Sequence, residues 1–241
     1  MFLQIDKDKK TYLACEQWWV FLTIIFVAGF YGAFTFLLRG GVFCNAQTVN
    51  LMMVAINIAK TDFSKALYYC IPIIAFFVGI LLSEIVPSPF KRLRIIRWDT
   101  LLILIEIVTV LIIGFLPANT PFRVSHILIN LITAMQYNTF RQVCGVPMTT
   151  TFCTNELRQM SVALIRALKH RDKSFGAQFV GHLGMVLSFA LGAGLGAFLC
   201  NVLGDKAIFA VLLPLSVVFI YLLYADLVPE RDRLLATPHG H

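Results

Sequence analysis

Six long apolar runs alternate with short polar breaks along the chain, at residues 17–38, 66–86, 98–117, 122–139, 176–200 and 207–225. About 20 apolar residues are needed to carry a helix across a bilayer, so each run predicts a spanning helix. Two further stretches interrupt this pattern. Residues 41–59 open on Gly-Val-Phe-Cys-Asn-Ala-Gln-Thr and turn apolar only after Asn50. Residues 145–168 open on Gly-Val-Pro-Met-Thr-Thr-Thr-Phe-Cys-Thr and follow the same polar-then-apolar order. Each predicts a short extended piece and then a helix that begins inside the membrane. The expected fold is therefore all-α and integral to the membrane, with six spanning helices plus two broken or half-membrane helices.

Composition agrees with this pattern. Of 241 residues, 59% are hydrophobic and 14% charged, against about 45–50% and 25% in soluble domains. That excludes a soluble enzyme, a disordered tail and a secreted disulfide scaffold. The net charge of +7 would suggest nucleic acid in a soluble protein; here it reads as Lys and Arg held on the cytoplasmic side. The six cysteines form no Cys-x-x-Cys pair and mostly lie in apolar runs, which reads as small core side chains rather than metal or disulfide sites. The run after Lys7, Lys9 and Lys10 is too long for a signal core and predicts a retained first helix.

Charge also orients the chain. If the two irregular stretches each enter and leave on one face, fourteen of the 20 Lys and Arg residues fall on the cytoplasmic side and five outside, with Arg158 inside a segment. If all eight segments cross, the Lys91–Arg97 cluster moves outside and the split weakens to about twelve against seven. The first arrangement is the better one. It places both termini in the cytoplasm, and the halves then have opposite topology. A single membrane domain, 1–241, would comprise repeat 15–117 and inverted repeat 122–226, the plan of many secondary transporters.

The repeat shows in residues as well. Arg39-Gly-Gly-Val-Phe-Cys-Asn-Ala-Gln-Thr48-Val-Asn50-Leu51 matches Arg141-Gln-Val-Cys-Gly-Val-Pro-Met-Thr-Thr-Thr-Phe-Cys-Thr154-Asn-Glu156-Leu157, with small gaps. A helix that starts in hydrocarbon leaves backbone N–H groups without partners. Asn, Gln and Thr can cap them, and the positive end of the helix dipole favours an anion or a polar carbonyl. Candidate solute-binding residues are therefore Asn45, Gln47, Thr48 and Asn50 in the first motif. Thr150, Thr151, Thr154, Asn155 and Glu156 are those of the second. Capping and packing without any solute is the competing reading.

At these two segments the chain resembles the YoaK-type family of bacterial membrane proteins, a domain of unknown function. The resemblance rests on GAFTFLLRGGVFCNAQTVNL (32–51) and AMQYNTFRQVCGVPMTTTFCTNELR (134–158) and extends from the first span to the last. In that family each motif usually ends Thr-Gly-Asn. Here Val49 stands in the first Gly position, and Asn155-Glu156 replace Gly-Asn in the second. The resemblance implies a small polytopic protein of the bacterial inner membrane and names no substrate. In architecture alone, paired half-helices after extended pieces look like the core of nucleobase and sulfate permeases.

Other residues carry weaker signals. Glu106, near the middle of its span, must face protein or water; it reads either as a proton-coupling group or as a neutral structural one. Glu84, His126 and His182 read mainly as structural. Gln136, Tyr137, Asn138 and Tyr31 could line a cavity. Gly192 and Gly196 form a close-approach pair. Trp18, Trp19 and Trp98 suit the interface belt. No enzyme fingerprint is present, so no enzyme activity and no cofactor or metal is expected. The expected function is a transporter, or less readily a channel, for a small polar or anionic solute. A non-transporting scaffold or partner subunit is the alternative, and a membrane enzyme ranks lower. The expected partners are the bilayer and the solute, with a homodimer as an option.

Overall fold

The computed structural model describes residues 12–88, 95–117, 119–150, 153–170, 172–236 and 238. Among them are eight α-helices: α1 (Trp18–Leu38), α2 (Gln47–Ala59), α3 (Phe63–Ile85), α4 (Trp98–Phe115), α5 (Phe122–Thr139), α6 (Thr154–His170), α7 (Lys173–Leu203) and α8 (Leu212–Leu227). A 3-10 segment, Gly204–Val211, joins the last two. A two-residue hairpin, β1 (Gln142–Val143) with β2 (Val146–Pro147), precedes α6. It turns on Cys144 and Gly145, both at positive φ, and the sequence reading did not foresee it. The fold is all-α of membrane type. By length and apolarity, Trp18–Leu38, Phe63–Ile85, Trp98–Phe115 and the continuous run Lys173–Leu227 could each cross a bilayer. α5 matches α4 in length but is less apolar, because Ser125, His126, Asn130, Thr133, Gln136 and Thr139 punctuate it.

The packing follows from small residues that let backbones meet. α1 and α7 run side by side in one direction: the Trp18 ring abuts Gly181, Phe26 O abuts Gly192 and Phe30 abuts Gly196. A Cβ on Gly192 would fall 1.9 Å from Phe26 O, and one on Gly29 would fall 2.2 Å from Phe189 O. α3 and α5 form a second side-by-side pair, with Gly79 against Leu131 and Ala134. α2 packs on α3, α6 on α7, and α4 on α8 and α5. Phe21, Ile24, Phe30, Phe34, Leu102 and Ile103 fill the core between these pairs. The perimeter is apolar: Leu67, Ile74 and Phe77 on α3, Leu191 and Phe198 on α7 and Leu213 and Ile220 on α8 are exposed. Burying such surface from water is the driving force for a lipid-facing perimeter.

Ion pairs close the two ends of the bundle. At one end Arg39 pairs with Asp205 at 2.6 Å and donates to Ser125 Oγ. At the other, buried Arg97 meets Asp99 at 3.1 Å and Asp226 at 3.8 Å, and its guanidinium donates to the carbonyls of Arg233 and Ala236. Cys15 Sγ accepts from the same guanidinium. All six cysteines are free, and Cys15, Cys44 and Cys200 are buried.

Candidate functional site

The first motif folds back along α1. After Arg39 the chain reverses through Gly40 and Gly41, both at positive φ. Cys44 N then donates to Thr35 Oγ1, and Asn45 Nδ2 donates to Ala28 O at 3.1 Å. Ala28 lies ten residues before the end of α1, so the loop descends about 15 Å beside the helix at 1.5 Å per residue. Gly32 makes the space, since a Cβ there would sit 3.2 Å from the Asn45 amide. α2 therefore starts level with the middle of α1.

At that level Gln47 Nε2 donates to Cys44 O and, at 2.8 Å, to Asn130 Oδ1 on α5. Asn50 Nδ2 donates to Phe43 O and Gln47 Oε1. Asn130 in turn donates to His126 O. The amides were expected to cap the N–H groups of α2. Instead they donate to carbonyls, and the N-cap, Ala46, offers no side-chain bond. The reason is reach: the extended loop runs alongside the first turn, and its carbonyls are the nearer partners. Thr48 points outward and is exposed.

Glu106 enters the same region from α4. It is 1% exposed, and the Tyr31 hydroxyl from α1 faces its carboxyl. Tyr31 also lies near Cys44 of the first motif. Neither Glu106 oxygen, nor Tyr31 Oη, nor Asn50 Oδ1, nor either amide atom of the fully buried Gln136 has a hydrogen-bond partner. Leaving one such group unpaired costs about 1–3 kcal/mol. Buried groups left so call for a function or an occupant, above all Tyr31 and Glu106, which face each other.

The second motif is built differently. Glu156, fully buried in the first turn of α6, accepts from Thr149 N at 2.9 Å and from Thr149 Oγ1 at 3.0 Å. Its other oxygen meets His182 Nδ1 on α7 at 2.6 Å. Glu156 and Asn50 each reach back seven residues into the loop before their helix. Gly181, next to His182, abuts Trp18 at the first residue of α1, whereas Asn45 sits ten residues deeper. The two helix starts thus lie at different levels along α1. Thr150 is buried with its hydroxyl unpaired, Thr154 is exposed, and Thr151 lies outside the described residues. Tyr137, Arg141, Thr149 and Asn155 border an open cavity of about 310 Å³. A smaller cavity, about 180 Å³, lies beside it between Ser83, Trp98, Thr139 and the chain near Ala236. Arg141 ties this face together by pairing with Glu84 at 2.9 Å.

The sequence reading singled out Glu156 and His182 separately but did not join them, and it missed Asn130. The signal for Asn130 was present: His126, Asn130 and Thr133 recur at i, i+4 and i+7, a polar stripe on an otherwise apolar helix. His126 is buried and its Nε2 meets Arg39 O, a structural role. Trp98 is buried, bonded through Nε1 to Thr139, while Trp19 is exposed.

A family profile described as "Protein of unknown function (DUF1275)" matches residues 20–221. The chain belongs to the DUF1275 family. The YoaK-type resemblance is consistent with it. The DUF1275 match begins two residues into α1 and ends within α8, so it includes both motifs, Glu106 and the whole helical core. No curated protein and no solved structure matches the chain.

Proposed function

We propose that this DUF1275 protein is a small membrane transporter of inverted-repeat design, with its solute site where α2 begins, beside Glu106 and Tyr31. The observation that carries the reading is the buried, unpaired polar set in the middle of the core: the Glu106 carboxyl, Tyr31 Oη and Asn50 Oδ1. A scaffold would gain stability by replacing them with apolar side chains. A transporter keeps such groups for a solute that comes and goes.

The helix contacts support the repeat. Exchanging α1 with α5, α2 with α6, α3 with α7 and α4 with α8 turns the α1–α7 pair into the α5–α3 pair. The same exchange turns α2–α3 into α6–α7 and leaves α4–α8 unchanged. Asp62 and Asp172 each accept a backbone N–H at the start of the third helix of their half. On this reading α1, α3, α4, α5, α7 and α8 are the six spans, and α2 re-enters from the Arg39 end. The site is centred on the first motif alone. The second motif, with Glu156 fastened to His182, borders the vestibule at the opposite end. Rocking of one half against the other would expose the site alternately.

The test is flux into proteoliposomes with a panel of radiolabelled small amines, amides and carboxylates. Asn50→Ala and Asn130→Ala are each expected to slow the transported compound about tenfold or more, the worth of one or two buried hydrogen bonds. A panel in which nothing crosses faster than in protein-free liposomes sinks the reading, as does full activity in both variants.

A further inference from the structure

The chemistry of the central site restricts what it can hold. Its charge is one carboxyl, Glu106, and among the described residues no ion pair reaches it. The two buried guanidinium groups are committed elsewhere: Arg39 to Asp205 at one end of the bundle, Arg97 to Asp99 and Asp226 at the other. The unpaired groups are weighted towards acceptors. Both Glu106 oxygens and Asn50 Oδ1 are free, against the hydroxyl of Tyr31 as a free donor. The Asn50 orientation is set by its network, because its nitrogen already serves Phe43 O and Gln47 Oε1. The start of α2 offers the opposing influence, a positive dipole end equivalent to about half an elementary charge. That is less than the whole charge Glu106 carries when ionised, and a cation beside it favours that form.

We infer that the solute held between Glu106, Tyr31 and Asn50 is a small organic cation with N–H donors, of the ammonium or guanidinium class, and not an anion. The inference rests on the site proposed above and names its ligand. An ammonium or guanidinium brings only donors and no acceptor, which matches the free oxygens. Its charge supplies the counter-ion that the core lacks. A carboxylate or phosphate brings acceptors of its own and would leave the same oxygens unpaired. The ring of Tyr31, fully buried and beside Glu106, favours a cation for the same electrostatic reason.

The experiment uses the purified full chain in lipid nanodiscs and in proteoliposomes. The probes are methylguanidinium chloride, tetramethylammonium chloride (a cation without N–H donors) and sodium formate. Methylguanidinium is expected to raise Tm in a saturable way and to be taken up, with formate inert and tetramethylammonium at least about tenfold weaker. Glu106→Gln should weaken the methylguanidinium response about tenfold or more. Tyr31→Phe, which keeps the ring, should weaken it less and serves as the folded control. Stabilisation or uptake by formate but not by methylguanidinium overturns the cation assignment and leaves transport standing. Saturable binding of methylguanidinium without uptake supports the assignment and overturns transport. An equal response to tetramethylammonium overturns the donor requirement. No response to any probe, with Glu106→Leu more stable than wild type, overturns both.

Discussion

Gly192 and Gly194 are two residues apart on α7 and have opposite surroundings. A Cβ at 192 would strike the Phe26 carbonyl at 1.9 Å, and one at 194 would meet nothing within 4 Å. Gly192→Ala is therefore expected to cost about 3 kcal/mol, because a backbone oxygen cannot step aside as a flexible side chain can. Gly194→Ala should be neutral or slightly stabilising, since Ala is the better helix former. Thermal unfolding in detergent checks both, and equal Tm values would contradict the packing described. The sequence had marked Gly192 and Gly196 as a close-approach pair. It could not mark Gly29, which meets α7 from the opposite side of the same contact. Tyr31 and Glu106 were likewise each visible as polar residues in apolar helices. That they face each other was not, because they are 75 positions apart in the chain.

At the scale of elements, both polar-then-apolar stretches were legible as an irregular piece followed by a helix, and α2 and α6 occupy the expected places. What each motif does with its polar residues was not legible. The first is held deep by Asn45, whose amide is bonded to Ala28 O. Asn45→Ala is expected to speed amide hydrogen exchange across residues 40–46 by about tenfold, corresponding to loss of one buried bond. Unchanged protection there would mean that Thr35 and Gln47 suffice to hold the loop. The second motif spends residues 142–147 on a hairpin that packs against Glu16 through Cys144 N. A hairpin of two residues per strand leaves too little alternation for any pattern to announce it. Predicted helix ends were also off by a few residues. α7 runs to Leu203 where 200 was expected, and the last run begins as a 3-10 segment before α8. Termini are decided by local caps and contacts rather than by apolar period.

For the whole molecule, orientation is the sharpest open prediction. Lys206 follows Asp205 at the Arg39 end, and Lys60 closes α2 just before α3, whose Tyr68 hydroxyl donates to Arg39 O. Glu84 shares a cavity with Arg97, and Arg231 lies two residues before Arg233, whose carbonyl accepts from Arg97. With the charge bias inside, single cysteines at 60 and 206 in a cysteine-free background should react with a membrane-impermeant maleimide added to intact cells. Cysteines at 84 and 231 should react only after permeabilisation. Labelling of 60 and 231 from the same side would contradict the six-span arrangement.

The sequence by itself determined that this is an apolar, helical, membrane-type chain of the DUF1275 family, where its polar breaks fall, and which residues in them are unusual. Those properties are local: a helix is specified by the run of side chains along it, and a break by residues within a turn or two. Tertiary structure alone decided that the two breaks lie at different depths. It also decided that Glu156 is committed to His182 and that the Glu106 carboxyl, Tyr31 Oη and Asn50 Oδ1 are buried without a hydrogen-bond partner. Pairing depends on which helix faces which, and that is fixed by the glycine contacts of α1 with α7 and of α3 with α5 rather than by any single segment.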